Sequence, residues 1–308
     1  NEFRGSFEKF NDKKIEFIKG DITKFSDWEK IPSEIDSIFH LGAINGTKFF
    51  YEIPEKVLDV NIKGVQNLLE FCRKRDVKNF LFTSSSEVYG YPNKFPTSEE
   101  NIMSIPDPYN PRFSYSSSKI IGEMLCINFS RKYNLKHTIV RYHNIYGPNM
   151  GHEHVMPEFI RKVTKNEEFL VEGDGTETRS FCFIDDAIDA TIFVHNDNSF
   201  TNRIFNIGND TETSISNLIE LLSKISGKQI QPKFNPKTNF ELSVPYDSYV
   251  SVKIYNVMGQ LVDVLIDDFV SADIYNLVWK ANNIPSGVYL IRAENGADIS
   301  TQKVMLLK

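Results

Sequence analysis

Apolar and polar positions follow two different rhythms along this chain of 308 residues. As far as about Gln231, short apolar runs alternate with longer stretches whose apolar residues recur at helical spacing. Ile15–Ile18 and Ser37–His40 read as strands, and the pattern from Val57 to Arg75 as a helix. A strand over Asn79–Thr83, a helix over Tyr115–Tyr133, a strand over His137–Arg141 and a helix over Pro157–Lys165 follow. Strands separated by helices of this length predict parallel pairing, with helices on both faces of the sheet. Residues 1–232 are therefore expected to form an α/β domain.

Beyond Pro232 the helical rhythm stops. Tyr249–Tyr255 alternates with period two and runs into a turn at Met258-Gly259, and Tyr275–Trp279 and Val288–Arg292 are further β-rich runs. Asn295-Gly296 between two such runs fits a tight hairpin whose central residues need positive φ. Residues 233–308, roughly seventy-five in number, are expected to form a small all-β immunoglobulin-like sandwich. The boundary between the two domains falls near Pro232–Pro236.

Bulk properties narrow the function. A net charge of −6 argues against nucleic acid as the main partner, because a phosphate-binding surface needs a basic excess. No apolar run is long enough to cross a bilayer, and the opening Asn1-Glu2-Phe3-Arg4-Gly5 lacks the layout of a signal peptide. Cys72, Cys126 and Cys182 are far apart and odd in number, so neither a disulfide framework nor a metal site is expected. His152 and His154, flanking Glu153, have no third ligand near them in sequence. A cytoplasmic protein with reduced thiols is the expectation.

The chemistry is concentrated in Tyr115-Ser116-Ser117-Ser118-Lys119. On a helix, a phenol and an ammonium at this spacing share one face. A free tyrosine, with a pKa of about 10, is too weakly acidic to serve as a base at neutral pH. A nearby lysine cation favours the phenolate, and a depression of roughly three units needs about 4 kcal/mol of differential stabilisation. Tyr249 and Lys253 have the same spacing but lie on an expected strand, where four residues span about 13 Å, so that pair is a decoy. Tyr115 instead follows a strand ending in Phe82-Thr83-Ser84-Ser85-Ser86-Glu87-Val88-Tyr89-Gly90. The carboxyl ends of parallel strands are where α/β folds place their chemistry.

From Asn1 to about Gln231 the chain resembles the extended short-chain dehydrogenase/reductase family, in particular its nucleotide-sugar epimerases, dehydratases and decarboxylases. The resemblance rests on motifs in family order. They are Gly20-Asp21-Ile22, His40-Leu41-Gly42-Ala43, Asn61, Ser85 through Gly90, and the tyrosine–lysine pair, then Arg141 through Pro148 and Gly175 through Phe181. It implies a Rossmann-like, doubly wound parallel sheet that binds NAD and a nucleotide-diphosphate sugar. Tyr115 would take a hydroxyl proton from the sugar while hydride passes to the nicotinamide. Lys119 would hold the nicotinamide ribose and tune Tyr115, and Ser85 would bridge to the same sugar oxygen. Asp21 and Ile22 would flank the adenine, and Leu41, Gly42 and Ala43 would line the dinucleotide. Asn61 and His143 match further cofactor-side positions. Asn144 and Arg179 match residues contacting the substrate diphosphate, a role that suits the bidentate guanidinium fork. The resemblance allows a homodimer with the helix beginning near Tyr115 as its face, while the sequence leaves oligomeric state open.

Reaction type depends on the residues after Ser85. Dehydratases that resemble this chain carry an acid pair there, whereas Ser86 is followed by Glu87, with the glutamate present and the general acid absent. That arrangement looks more like the sugar-acid decarboxylase branch, while epimerisation needs only Ser85, Tyr115 and Lys119. Decarboxylation and epimerisation are both favoured over dehydration.

Two departures complete the reading. No G-x-G-x-x-G or G-x-x-G-x-x-G occurs in the sequence, although a dinucleotide-binding βαβ unit opens with such a turn so that backbone amides meet the pyrophosphate. The sheet is therefore expected to lack its first strand, with roughly thirty residues or more, about one βαβ unit, absent. Ile15–Ile18 either takes that strand's place or is poorly anchored. At the other end, Phe234–Thr238, Ile254–Gln260, Ser286–Tyr289 and Lys303–Lys308 resemble C-terminal sorting domains of the type IX secretion system. The combination implies a fusion or a misjoined gene, and opens a second reading: a non-catalytic remnant whose β-module serves secretion or surface attachment.

Overall fold

The computed structural model describes residues 14–92, 94–151, 154–172, 175–235, 239–279, 287–296 and 298–306. By its contacts the chain divides into two units, Asn1–Glu158 with Arg179–Thr213, and Phe159–Thr178 with Ser214–Lys308.

The first unit is built on four parallel strands, β1 (Ser37–His40), β2 (Asn79–Ser85), β3 (Lys136–Tyr142) and β4 (Arg203–Ile207), paired in that order. Two long helices connect them, α1 (Pro54–Arg75) and α2 (Ser114–Tyr133). Pro54 starts α1, where its missing N–H costs nothing, and Asp76 ends it in the left-handed region at φ 57. Arg73, Lys74 and Arg75 in the last turn complement the negative end of the helix dipole. Period-two alternation along β2 explains the layers. Phe80 and Phe82 pack with Val65, Leu68, Leu69 and Cys72 of α1 and Cys126 of α2. Leu81 faces the opposite side, with Ala187 and Val194 of a third helix, α3 (Ile184–Asn196). Helices therefore cover both faces, as the sequence pattern predicted.

Ile15–Ile18 is not a strand: it carries no regular structure, and Ile15 and Phe17 are 49 % and 43 % exposed. A four-residue stretch with three apolar side chains makes a strand only if a neighbour pairs with it, and among the described residues no strand does so. Among the described residues β1 is consequently an edge strand, with Phe39 partly exposed.

The second unit contains helix α4 (Ile215–Ser226) and the parallel pairing of Lys233–Asn235 with Leu170–Glu172. Its β-rich part has a two-stranded sheet, β5 (Asn239–Val244) with β8 (Asp273–Val278). A four-stranded sheet, ordered β7-β6-β9-β10, joins β6 (Ser248–Asn256), β7 (Leu261–Val270), β9 (Gly287–Asn295) and β10 (Asp298–Leu306). All these pairings are antiparallel. The sheets share one core, with Val250, Val252 and Ile254 of β6, Val244 of β5, Ile291 of β9, and the Trp279 ring edge-on to Tyr289 at 5.1 Å. The small β-sandwich expected from the period-two runs is the observed architecture. The hairpin turn shifts by one position: Asn295 still pairs with Asp298, so Gly296, at φ 59, occupies the first turn position. Ala297 lies outside the described residues.

Candidate active site

The carboxyl end of β2 is held in place by its neighbours on both sides. Thr83 Oγ1 donates to the His40 carbonyl at 3.0 Å, which locks β2 to β1. The Thr83 carbonyl accepts from Lys119 Nζ at 2.7 Å, which locks β2 to α2. Ser84 Oγ donates to Glu123 Oε1 on the same helix. Ser85 is extended and accepts from the Glu87 backbone N–H at 3.3 Å, capping a single 3₁₀ turn over Ser86–Tyr89.

Tyr115 enters this frame from the first turn of α2. Its ring stacks on Phe50 at 4.9 Å within a cluster that includes Ile44 and Val57, and the Ser85 hydroxyl is its hydrogen-bonding neighbour. Lys119 follows one turn later, with Nζ 5.6 Å from the Tyr115 ring centre and 5.0 Å from that of Phe82. Ser85, Tyr115 and Lys119 therefore converge on one spot, and α2 brings them there because a helical turn aligns residues four apart.

The electrostatics differ from the sequence expectation. Burial pushes the Tyr115 phenol above its ordinary value, with the Ser85 hydrogen bond opposing and the Glu87 charge adding to the rise. Burial also pulls the Lys119 ammonium down to about 8, against Cys126 and Glu123, which raise it. In both groups the desolvation that comes with burial is the largest effect. Lys119 spends one N–H on Thr83 among the described residues, which leaves two donors inside a buried site.

The other expected positions are dispersed around this centre. The Asp21 carboxylate closes its own turn, accepting from Thr23 N at 3.0 Å and Thr23 Oγ1 at 2.8 Å. The Ile22 side chain lies over two glycines: a Cβ on Gly64 would stand 2.7 Å from Ile22 Cδ1, and one on Gly42 3.2 Å. Leu41 is 63 % exposed just past β1, with Gly42 and Ala43 half-buried. Asn61 is fully engaged inside the protein. It accepts from Ile44 N at 2.7 Å and donates to Ile44 O and to Ser118 Oγ, so it ties the loop after β1 to α2. His143 lies at the end of β3, its Nε2 3.1 Å from Asn206 Oδ1. Asn144 is exposed at φ 43, and Arg179 and Glu87 are exposed, the latter 3.7 Å from Arg112. The decoy is settled: Tyr249 and Lys253 sit on β6, and Lys253 pairs with Asp267 at 3.2 Å. His152 and Glu153 lie outside the described residues, so the histidine-flanked motif is not seen here.

Sequence reasoning missed the polar network beneath the site. Glu123, fully buried, forms a two-pronged ion pair with Arg141, at 2.9 Å to Nε and 2.7 Å to Nη2. Arg141 Nη1 donates to Tyr89 Oη at 2.8 Å, and Tyr89 donates to Asn206 Oδ1 at 2.8 Å. The signal in the sequence was a carboxylate one turn beyond Lys119 on the same helix face.

His40 adds a pH dependence. Burial drops its imidazole to about 3, and His137 falls to about 4 for the same reason. Both are folded-state values below the unfolded value of 6.5, so stability is full above pH 6.5 and is lost as pH falls. Each histidine is expected to remove about 1.4 kcal/mol per pH unit below 6.5 until its folded value is reached. Urea denaturation between pH 7 and pH 4 checks this, and His40→Gln should flatten the slope.

Comparison with known proteins gives this arrangement its relatives. A model of the NAD dependent epimerase/dehydratase family matches residues 3–208. The chain belongs to that family. A putative UDP-glucose 4-epimerase of Methanocaldococcus jannaschii is 31 % identical over 80 % of this chain and 78 % of its own length. A UDP-N-acetyl-alpha-D-glucosaminuronate decarboxylase of Bacillus cytotoxicus is 34 % identical over 64 % of this chain, which spans 61 % of that relative. Among solved structures, UDP-glucose 4-epimerase of Thermotoga maritima with UDP-glucose has 31 % identity and a TM-score of 0.68 over 76 % of this chain and 75 % of that one. UDP-glucuronic acid 4-epimerase of Bacillus cereus in complex with NAD has 29 % identity and a TM-score of 0.64, covering 73 % and 70 %. The sheet is thus Rossmann-like, as in these epimerases. Residues 234–307 match the secretion system C-terminal sorting domain. Among the described residues no helix is long and apolar enough to cross a membrane.

The family's dinucleotide meets a partial fit. The two unspent Lys119 donors beside Tyr115 suit the nicotinamide ribose end, and the exposed Leu41 with Gly42 leaves approachable backbone after β1. The pyrophosphate end calls for clustered backbone amides, which no glycine-rich turn of this sequence supplies.

Proposed function

We propose that residues 1–232 act on a nucleotide-diphosphate sugar by NAD-dependent chemistry, epimerisation or decarboxylation in preference to dehydration. The observation that carries this reading is the convergence of Ser85, Tyr115 and Lys119 at the carboxyl end of β2. NAD, when bound, accepts and returns hydride. Tyr115 takes the proton of the sugar hydroxyl, Ser85 holds the oxygen that loses it, and Lys119 supplies the positive charge that makes the phenolate accessible. Asn144 and Arg179 are the proposed contacts to the substrate diphosphate, and Asp21, Ile22, Leu41, Gly42, Ala43 and His143 line the cofactor. Asn61 serves by fixing the Ile44 backbone and the start of α2. Glu87 stands at the mouth of the site as the candidate acid–base group of a decarboxylase.

The role of Lys119 predicts a pH profile. The ammonium is charged below about 8, so kcat should fall as pH rises through that value. A pH–rate series checks this. Proton NMR of the chain with NAD and UDP-glucose, or with UDP-glucuronic acid, tests the reading itself: a C4 epimer or a pentose product supports it. A folded chain that leaves both sugars unchanged counts against it.

A second reading draws on the match at residues 234–307. In it the β-sandwich, with the domain boundary at 232/233, serves type IX secretion or surface attachment, and the α/β part is carried without turnover. Export in a type IX-competent host that depends on residues 233–308 would favour it. In the enzymatic reading the α/β part works in the cytoplasm.

A further inference from the structure

The buried Glu123–Arg141 pair does more than fill space beneath the sheet. Tyr115, Lys119 and Glu123 lie at successive helical turns on one face of α2, so the carboxylate follows the lysine by one turn as the phenol precedes it. Glu123 Oε1 is shared by Ser84 Oγ and Arg141 Nε, and Oε2 takes Arg141 Nη2. Ser84 lies between Thr83, whose carbonyl receives the Lys119 ammonium, and Ser85, the hydroxyl beside Tyr115. From Arg141 the network continues through Tyr89 and Asn206 to His143. One carboxylate therefore touches the frame of every proposed catalytic group.

We infer that Glu123, fixed by Arg141, is a positioning residue that keeps Lys119 cationic and holds the Ser84–Ser85 strand end against α2. The inference rests on the proposed chemistry for its consequence, but its geometry stands apart from any substrate. Among the described residues, these titratable and polar groups face Lys119. Tyr115, Glu123 and Cys126 come from its own helix, the Thr83 carbonyl from β2, and His40 from β1. His40 is neutral at working pH because burial lowers it to about 3. Arg141 approaches from β3 but is tied to Glu123. Among these groups Glu123 is the one fixed negative charge. Buried groups feel one another strongly, since little water screens them.

The test is to follow the Lys119 ammonium by ¹⁵N NMR from pH 6 to pH 10 in the full chain. In Glu123→Gln the midpoint should fall by about one pH unit, because an opposite charge that favoured the ammonium is gone. Glu123→Asp, which keeps the charge, should stay near the wild-type midpoint. Should the single Gln variant fail to fold, Glu123→Gln with Arg141→Met removes the whole pair. Replacing both partners of a buried pair is commonly tolerated. There the Arg141 cation, which opposes the ammonium, leaves together with the carboxylate, so a smaller fall is expected. A Lys119 midpoint that does not fall in either folded Gln variant overturns the inference. A chain that titrates as expected yet converts no sugar leaves the positioning role standing and counts against the proposed function instead.

Discussion

Tyr115→Phe is expected to lower turnover of a nucleotide-diphosphate sugar by about 10²–10⁴-fold, the usual contribution of a positioned proton acceptor. The fold should survive this change. The ring keeps its stacking on Phe50 at 4.9 Å and its place in the cluster with Ile44 and Val57. What is lost is the hydroxyl that meets Ser85. The phenol starts from an unfavourable position, because burial raises it, so its use as a base depends on the Lys119 charge. Comparing kcat with the urea midpoint of the same variant separates chemistry from folding. A variant with wild-type turnover would remove Tyr115 from the mechanism.

The largest stability effect is expected from splitting the ion pair under the site. Arg141→Met should destabilise the first unit by about 3–5 kcal/mol, since it strands a buried carboxylate. Glu123 is fully buried and Arg141 nearly so, at 0 % and 2 % side-chain exposure, so the carboxylate would lose its partner away from the surface. Tyr89 would lose a donor as well. The double variant with Glu123→Gln should recover most of that loss, because the charge that needed a partner is gone. Chemical denaturation of the single and double variants measures the difference, and equal destabilisation by both would show that the pair is not the source.

Much of this was legible because local rules agreed with the fold. The helical periodicity of Val57–Arg75, the buried run of β2 and the period-two pattern of β6 each obeyed the spacing of the element they form. The Tyr115–Lys119 spacing became informative only beside the strand ending at Ser85, and the strand context of Tyr249 and Lys253 explained why an identical spacing there is inert. Ile15–Ile18 was misread because an apolar run is a strand only when another strand pairs with it, which composition does not reveal. The network from Glu123 to His143 joins residues from α2, β3, β4 and the turn after β2. Hydrogen bonds across such sequence distances leave no periodic trace. The raised Tyr115 phenol was hidden for a related reason: spacing gives proximity to a charge, but desolvation depends on everything packed around the pair.

Cofactor binding tests the site most directly, since Lys119 offers the nicotinamide end a buried ammonium. The deciding measurement is a calorimetric titration of the purified chain with NAD, alongside Lys119→Ala checked for folding. Saturable binding by the wild-type chain is expected, with binding at least about tenfold weaker in the variant, the equivalent of about 1.4 kcal/mol. A folded wild-type chain that takes up no NAD would contradict that expectation, leaving Ser85, Tyr115 and Lys119 as an inherited geometry without chemistry.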